Sequence, residues 1–256
     1  MNSWRGAKFD HSGNPDAPSS DTAVDEILAR TRNLVRSFLG KFRSVTCVES
    51  VAQEKINKRG GLEYAEKSTF DYLILLGMDA HGLSVEESRL KQKGKSKRKD
   101  IPLLTSSGLP TLLLAFHPLY RDDFAYRVDG EETLGANRLV KIRFEHIPGT
   151  KSTTALRLRG KDYPLDLQGI AWIDPAAGTV YKIKAGISAP ADDLNLKILE
   201  MEVSYEPHQF SPGEDIYWLP SKATVSIQTE RQHWRNVHRY SGYKRFMVSS
   251  ENKVMK

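Results

Sequence analysis

The chain has a single cysteine, Cys47, so no internal disulfide and no multi-cysteine metal site is available to it. It has no apolar run near the roughly 20 residues that a membrane-spanning helix needs. The longest, YLILL at 72–76 and LPTLLLAF at 109–116, are far shorter. Signatures of the common enzyme classes are missing too: there is no HExxH, no GxSxG and no GxGxxG. The GKS at 94–96 does not close a phosphate-binding loop, because Arg89 stands where that loop needs its first glycine. The first 21 residues contain neither an apolar core of signal-peptide length nor a lipid-attachment cysteine, so no export address is expected in them.

What is present supports a globular core. Hydrophobic residues make up 39% of the chain and aromatics 9%, while 27% charge and a mean hydropathy of -0.49 argue against a body embedded in a bilayer. A net charge of +6 invites a polyanion, but its distribution does not. KQKGKSKRK at 91–99 carries six cations and no anion, so the remainder of the chain is balanced. The basic pI therefore reports one loop, and Lys93, Lys95, Lys97 and Arg98 become candidates for a protein partner or anionic lipid heads, with nucleic acid not expected.

Residues 1–20, rich in Gly, Pro, Ser, Asn and Asp, read as a flexible tail, and 21–256 as a single domain. The domain opens with a helix. Asp21 or Thr22 caps it, Asp25 and Glu26 sit in its first turn, and Val24, Ile27, Leu28, Leu34, Val35, Phe38 and Leu39 recur near helical spacing until Gly40. From residue 43 the period falls to two, and three strands follow as a meander with a turn at 57–61. A second helix is expected over 107–117, admitted by Pro110 in its first turn and stopped by Pro118. It is too apolar to lie uncovered. The remaining half alternates strands with turns at VDGEE, LGAN, DPAAG and SPGED. In LVKIRFEHI, Val140, Ile142, Phe144 and His146 share one face and the charged residues the other, the pattern of an antiparallel sheet with one covered side. The fold class that results is α+β, mainly antiparallel β: a strongly curved, incomplete β-barrel of roughly ten strands wrapped over two or more helices.

The segment RQHWRNVHRYSGYKRF at 231–246 interleaves cations with aromatics, as stacking grooves for nucleic acid do. Most of its cations fall on one strand face, which is also how a solvated face reads. His233 and His238 are five apart, a spacing that suits neither a helix face nor a strand face for metal binding. They are expected at a sheet rim, with the aromatics of a terminal strand packed inward.

Three stretches resemble the LolA-like superfamily of bacterial lipoprotein carriers and related periplasmic sensors. RVDGEETLGANRLVKIRF resembles its strand-turn-strand around the glycine step at Gly130 and Gly135. YPLDLQGIAWIDPAAGTVYKI is similar to its hairpin with a tryptophan and a turn aspartate, here Trp172 and Asp174, and IYWLPSKATV to its step before a late strand at Trp218, Leu219 and Pro220. The resemblance implies a sheet curved over helices around an apolar hollow, a periplasmic or envelope location, and no catalytic role. Leu112, Leu113, Phe116, Phe144, Trp172, Ile183 and Trp218 are then the candidates to hold a lipid or lipoprotein acyl chain, without cofactor or metal. Two other readings stay open. One is an envelope sensor or adaptor with a filled core, binding a protein partner or anionic lipid surface. The other is an enzyme, which requires titratable side chains converging in the hollow.

Overall fold

The structure, a computed structural model, describes residues 20–41, 44–79, 82–91, 106, 108–158 and 161–245. The tail at 1–19 and most of the basic loop, including Lys93, Lys95, Lys97 and Arg98, lie outside them. Among the described residues one α-helix, α1 (Ser20–Lys41), precedes twelve strands. These are β1 (Ser44–Ile56), β2 (Leu62–Asp79), β3 (Gly82–Lys91), β4 (Phe124–Leu134), β5 (Asn137–His146), β6 (Ala155–Leu158), β7 (Lys161–Pro164), β8 (Leu167–Ile173), β9 (Val180–Ile187), β10 (Leu196–His208), β11 (Tyr217–Thr229) and β12 (His233–Arg245).

Ten strands form one sheet in the order β3-β2-β1-β12-β11-β10-β9-β8-β5-β4, antiparallel throughout, with β6–β7 as a separate hairpin. The first and last strands meet in the middle, where β1 pairs β12 from Val45↔Arg245 to Ile56↔His233. The sheet does not close: β3 and β4 are its two edges. It curves over α1 and the 109–116 segment as an incomplete barrel.

Helix α1 buries Val24, Ile27, Leu28, Thr31 and Val35, a stripe at the helical period that faces the sheet. Its second half is pinned to the β8–β9 turn. Gly178 there has φ +74, and a Cβ on it would stand 2.7 Å from the backbone of Arg30 and Thr31, so only glycine allows the approach. Arg30 Nε completes the joint by donating to Pro175 O at 3.1 Å.

Two expectations need correction. The second helix is a 3-10 segment, Leu109–Phe116, followed by a short one at Pro118–Tyr120. Its N-cap is Gly108 at φ 76, with no side-chain cap, while Ser106 instead accepts a hydrogen bond from Asn236 Nδ2 at 2.8 Å. The segment is nonetheless buried, as its composition requires, and packs against α1, β9, β10 and β11. VDGEE is no turn: β4 runs through it with a bulge between Val128 and Glu131, Gly130 taking φ 107.

Candidate functional site

The inner face of the sheet has two chemically different halves. Beneath the 109–116 segment it is dry and filled. Phe116 and Phe144 are fully buried and meet edge to face at 5.5 Å, with Phe124 and Tyr126 completing an aromatic knot. Ile183 and Leu112 are buried in the same cluster. The inner face under the greasy segment is therefore lined by rings and branched side chains that have little or no solvent contact.

The open space lies to one side. A cleft of about 360 Å³ sits between the second half of α1, the β8–β9 turn and the entry to β11. Leu34, Val35, Ser37 and Phe38 line it from the helix, Leu113 from the 3-10 segment, Gly178, Thr179 and Val180 from the turn, and residues 215–218 from the opposite bank. Two of its apolar lining residues face solvent: Leu34 is 39% and Ile216 63% exposed. Trp218 is half-buried, its ring 4.1 Å from that of Tyr181.

Of the seven residues singled out in the sequence, the cleft brings together Leu113 and Trp218 only. Leu112, Phe116, Phe144 and Ile183 belong to the filled core. Trp172 is on the other face of the sheet. Its neighbours Ala171 and Ile173 are fully buried in the core, so alternation turns the indole outward. There Lys182 Nζ lies 3.8 Å from the ring centroid, and the indole N–H donates to Glu132 at 2.8 Å. The α1 and Ile216 contributions were missed in the sequence. The available signal was Leu34, an apolar residue one step off the buried stripe of α1, together with the lone isoleucine after the acidic turn SPGED.

The other half of the inner face is polar. Glu49 on β1 has no exposed surface, and His238 on β12 is 2% exposed rather than at a rim, because it shares the inward parity of Trp234, Asn236 and Tyr240. His238 Nδ1–H donates to Glu49 Oε1 at 2.8 Å, while Arg89 on β3 donates from Nε to Oε2 at 2.5 Å and from its terminal nitrogen to Oε1 at 3.1 Å. Arg89 also covers the Tyr72 ring at 4.6 Å and approaches Glu87 at 3.5 Å. Burial acts to raise the Glu49 pKa, but the hydrogen bonds and charges of His238 and Arg89 more than offset it and hold the carboxyl below its ordinary value. Burial, then the Glu49 charge, push the nearby Cys47 thiol up to about 12, so it stays protonated and inert.

A third group lies beside the β4–β5 end. His146 joins Asp166 at 2.8 Å through Nδ1 and Thr150 at 3.2 Å through Nε2. The atoms mimic a hydroxyl–imidazole–carboxylate relay, yet the Thr150 hydroxyl is 2.8 Å from Ile147 O and closes its own turn. None of the polar residues in either group lines the cleft, and no cluster of three metal-ligating side chains occurs among the described residues.

No family model matches the chain, and no curated protein does. Several solved structures resemble it over nearly its whole length. A DUF1329 family protein from Desulfovibrio piger is 9% identical, with 91% of this chain and 96% of that one covered and a TM-score of 0.45. A LolA superfamily protein from Nitrosomonas europaea is 12% identical over the same shares, with a TM-score of 0.38. An outer membrane lipoprotein-sorting protein domain from Vibrio parahaemolyticus is 11% identical over 90% and 94%, at 0.45. The fold is the one the LolA-like resemblance implies. It is seen directly in the unclosed antiparallel sheet curved over one helix. Likenesses at these scores carry no functional argument, which rests instead on the cleft.

Proposed function

We propose that this protein is a non-enzymatic binding protein of the cell envelope that holds an apolar chain of a lipid or lipoprotein in the cleft between α1 and β11. The observation that carries the reading is the cleft itself: about 360 Å³, lined mainly by apolar side chains and edged by solvent-facing Leu34 and Ile216. Ligand pockets run from about 300 to 1,000 Å³ and are mostly apolar, so both size and lining fit. The envelope location follows from the LolA-like resemblance.

Each methylene buried in the cleft is worth roughly 0.8 kcal/mol, against at least about 4 kcal/mol lost in association, so net binding needs more than about five of them buried. No polar catalyst is needed for such a role, and the titratable clusters are spent on holding strands together.

A brominated acyl chain tests the reading. Bound in the cleft, it quenches Trp218, and the quenching disappears in Trp218→Phe while the signal from the other tryptophans is unaffected. Ile216→Glu, at a solvent-facing position, leaves stability within about 0.5 kcal/mol and weakens uptake. Absence of quenching in the parent at millimolar chain would remove the basis of the proposal.

A further inference from the structure

The two edges of the open sheet are built differently. β4 is interrupted by its bulge, and its acidic side chains are engaged within the sheet: Asp129 with Arg143, Glu131 with Arg138 and Glu132 with the Trp172 indole. A bulge of this kind twists an edge away from a second chain. β3 has no such interruption. Its ten residues, GLSVEESRLK, contain no proline and pair with β2 in unbroken register from Phe70↔Lys91 to Asp79↔Gly82. Every second residue of such a strand points its N–H and C=O away from its one neighbour, and no described strand takes them up.

The charges along β3 select what does. Glu87 and Arg89 share the inner face, their side chains 7% and 16% exposed, while Glu86, Ser88 and Leu90 are exposed on the outer face. We propose that β3 pairs with β3 of a second copy, antiparallel and centred on Ser88, so that two sheets join across a two-fold axis. In that register Glu87 lies opposite the partner's Arg89, and Glu86 lies opposite the partner's Leu90. An axis that keeps inner face with inner face must pass through a residue, so the alternatives are discrete. Centring on Glu86 or on Glu87 sets a carboxylate against its own copy, and centring on Arg89 does the same with two guanidiniums. Like charges directly opposite one another are destabilising, so the side chains that guard this edge against other strands admit one register of its own. The β4 bulge opposes head-to-tail pairing of β3 with β4, and the assembly closes at two copies. Seven residues a side, 85–91, take part. A standard interface has about 20–30, so the dimer is weak and forms as concentration rises. No residue of β3 lines the cleft, and the inference does not rest on the acyl reading.

Cysteine cross-linking on the full chain tests the register. In this pairing residue 88 stands about 4.5–5.5 Å from its own copy between Cα atoms, within reach of a disulfide or a short bismaleimide. Residue 86 is four residues of rise, about 14 Å, from its own copy. Ser88→Cys should therefore cross-link at least tenfold faster than Glu86→Cys or Leu90→Cys alone, and an equimolar mixture of those two should recover the product. Cys47 is buried and gives no background. Sedimentation velocity follows the non-covalent dimer. Leu90→Lys places a lysine opposite the partner's Glu86 twice per dimer and should tighten it about three- to tenfold, whereas Glu86→Lys with Leu90→Lys should weaken it below the parent. All these positions are exposed, so the fold is kept. A parent that stays monomeric at millimolar concentration, a Ser88→Cys that cross-links no faster than its two neighbours, or a dimer that Leu90→Lys fails to tighten overturns the inference.

Discussion

Glu49→Gln tests the polar half of the inner face. The parent carboxylate has no solvent contact and receives hydrogen bonds from both Arg89 and His238, while the Arg89 side chain is 16% exposed. Glutamine keeps the shape but removes the charge, leaving a guanidinium largely out of water with the Glu87 carboxylate 3.5 Å away as a weaker counter-ion. Removing one member of a buried pair costs about 3–5 kcal/mol, and at about 2–4 °C per kcal/mol for a chain of this size the melting point should fall by roughly 6–20 °C. Urea unfolding of the parent, Glu49→Gln, Arg89→Met and the double variant measures both the loss and the coupling, expected at no less than about 1 kcal/mol for side chains in direct contact. The pH dependence has a fixed sign. The folded pKa of Glu49 is held below its ordinary value, so its stabilisation is complete above the ordinary carboxylate range and is lost as pH falls through the lowered one. The gap between parent and Glu49→Gln should therefore be widest near neutrality and shrink in acid. A loss under about 1 kcal/mol at neutral pH, additive effects in the cycle, or a gap that widens in acid would refute the account.

Gly178→Ala should cost about 1–2 kcal/mol for its left-handed backbone and more for the contact at 2.7 Å. Calorimetry checks this, and an unchanged melting point would contradict the close approach. Deletion of residues 92–99 should leave acyl-probe affinity within twofold and abolish retention on anionic vesicles at low salt, measured by flotation; loss of probe binding would tie the basic loop to the cleft. Trp172→Phe should not alter chain binding in the same titration, because the indole faces the opposite side of the sheet from the core.

Much of the architecture was legible in residue periodicity. The α1 stripe, the alternation in LVKIRFEHI and the burial of LPTLLLAF follow from how helices and strands divide side chains between faces, and local pattern carries that information. So does the concentration of positive charge in a single loop. Periodicity says which face is dry; it does not say whether a dry face is filled. Leu112 and Leu113 are neighbours of the same type and both are buried in the core, yet only Leu113 also lines the cleft. Trp172 lies in the run GIAWI, apolar at consecutive positions, so alternation could not be phased until the pairing of β8 with β5 and β9 set which side was inward. Glu49 and His238 are 189 residues apart and meet only because the first and last strands pair. The cleft, likewise, is assembled from four separated segments. Its volume is the remainder after every neighbour has packed, a many-body quantity that tertiary structure alone decides.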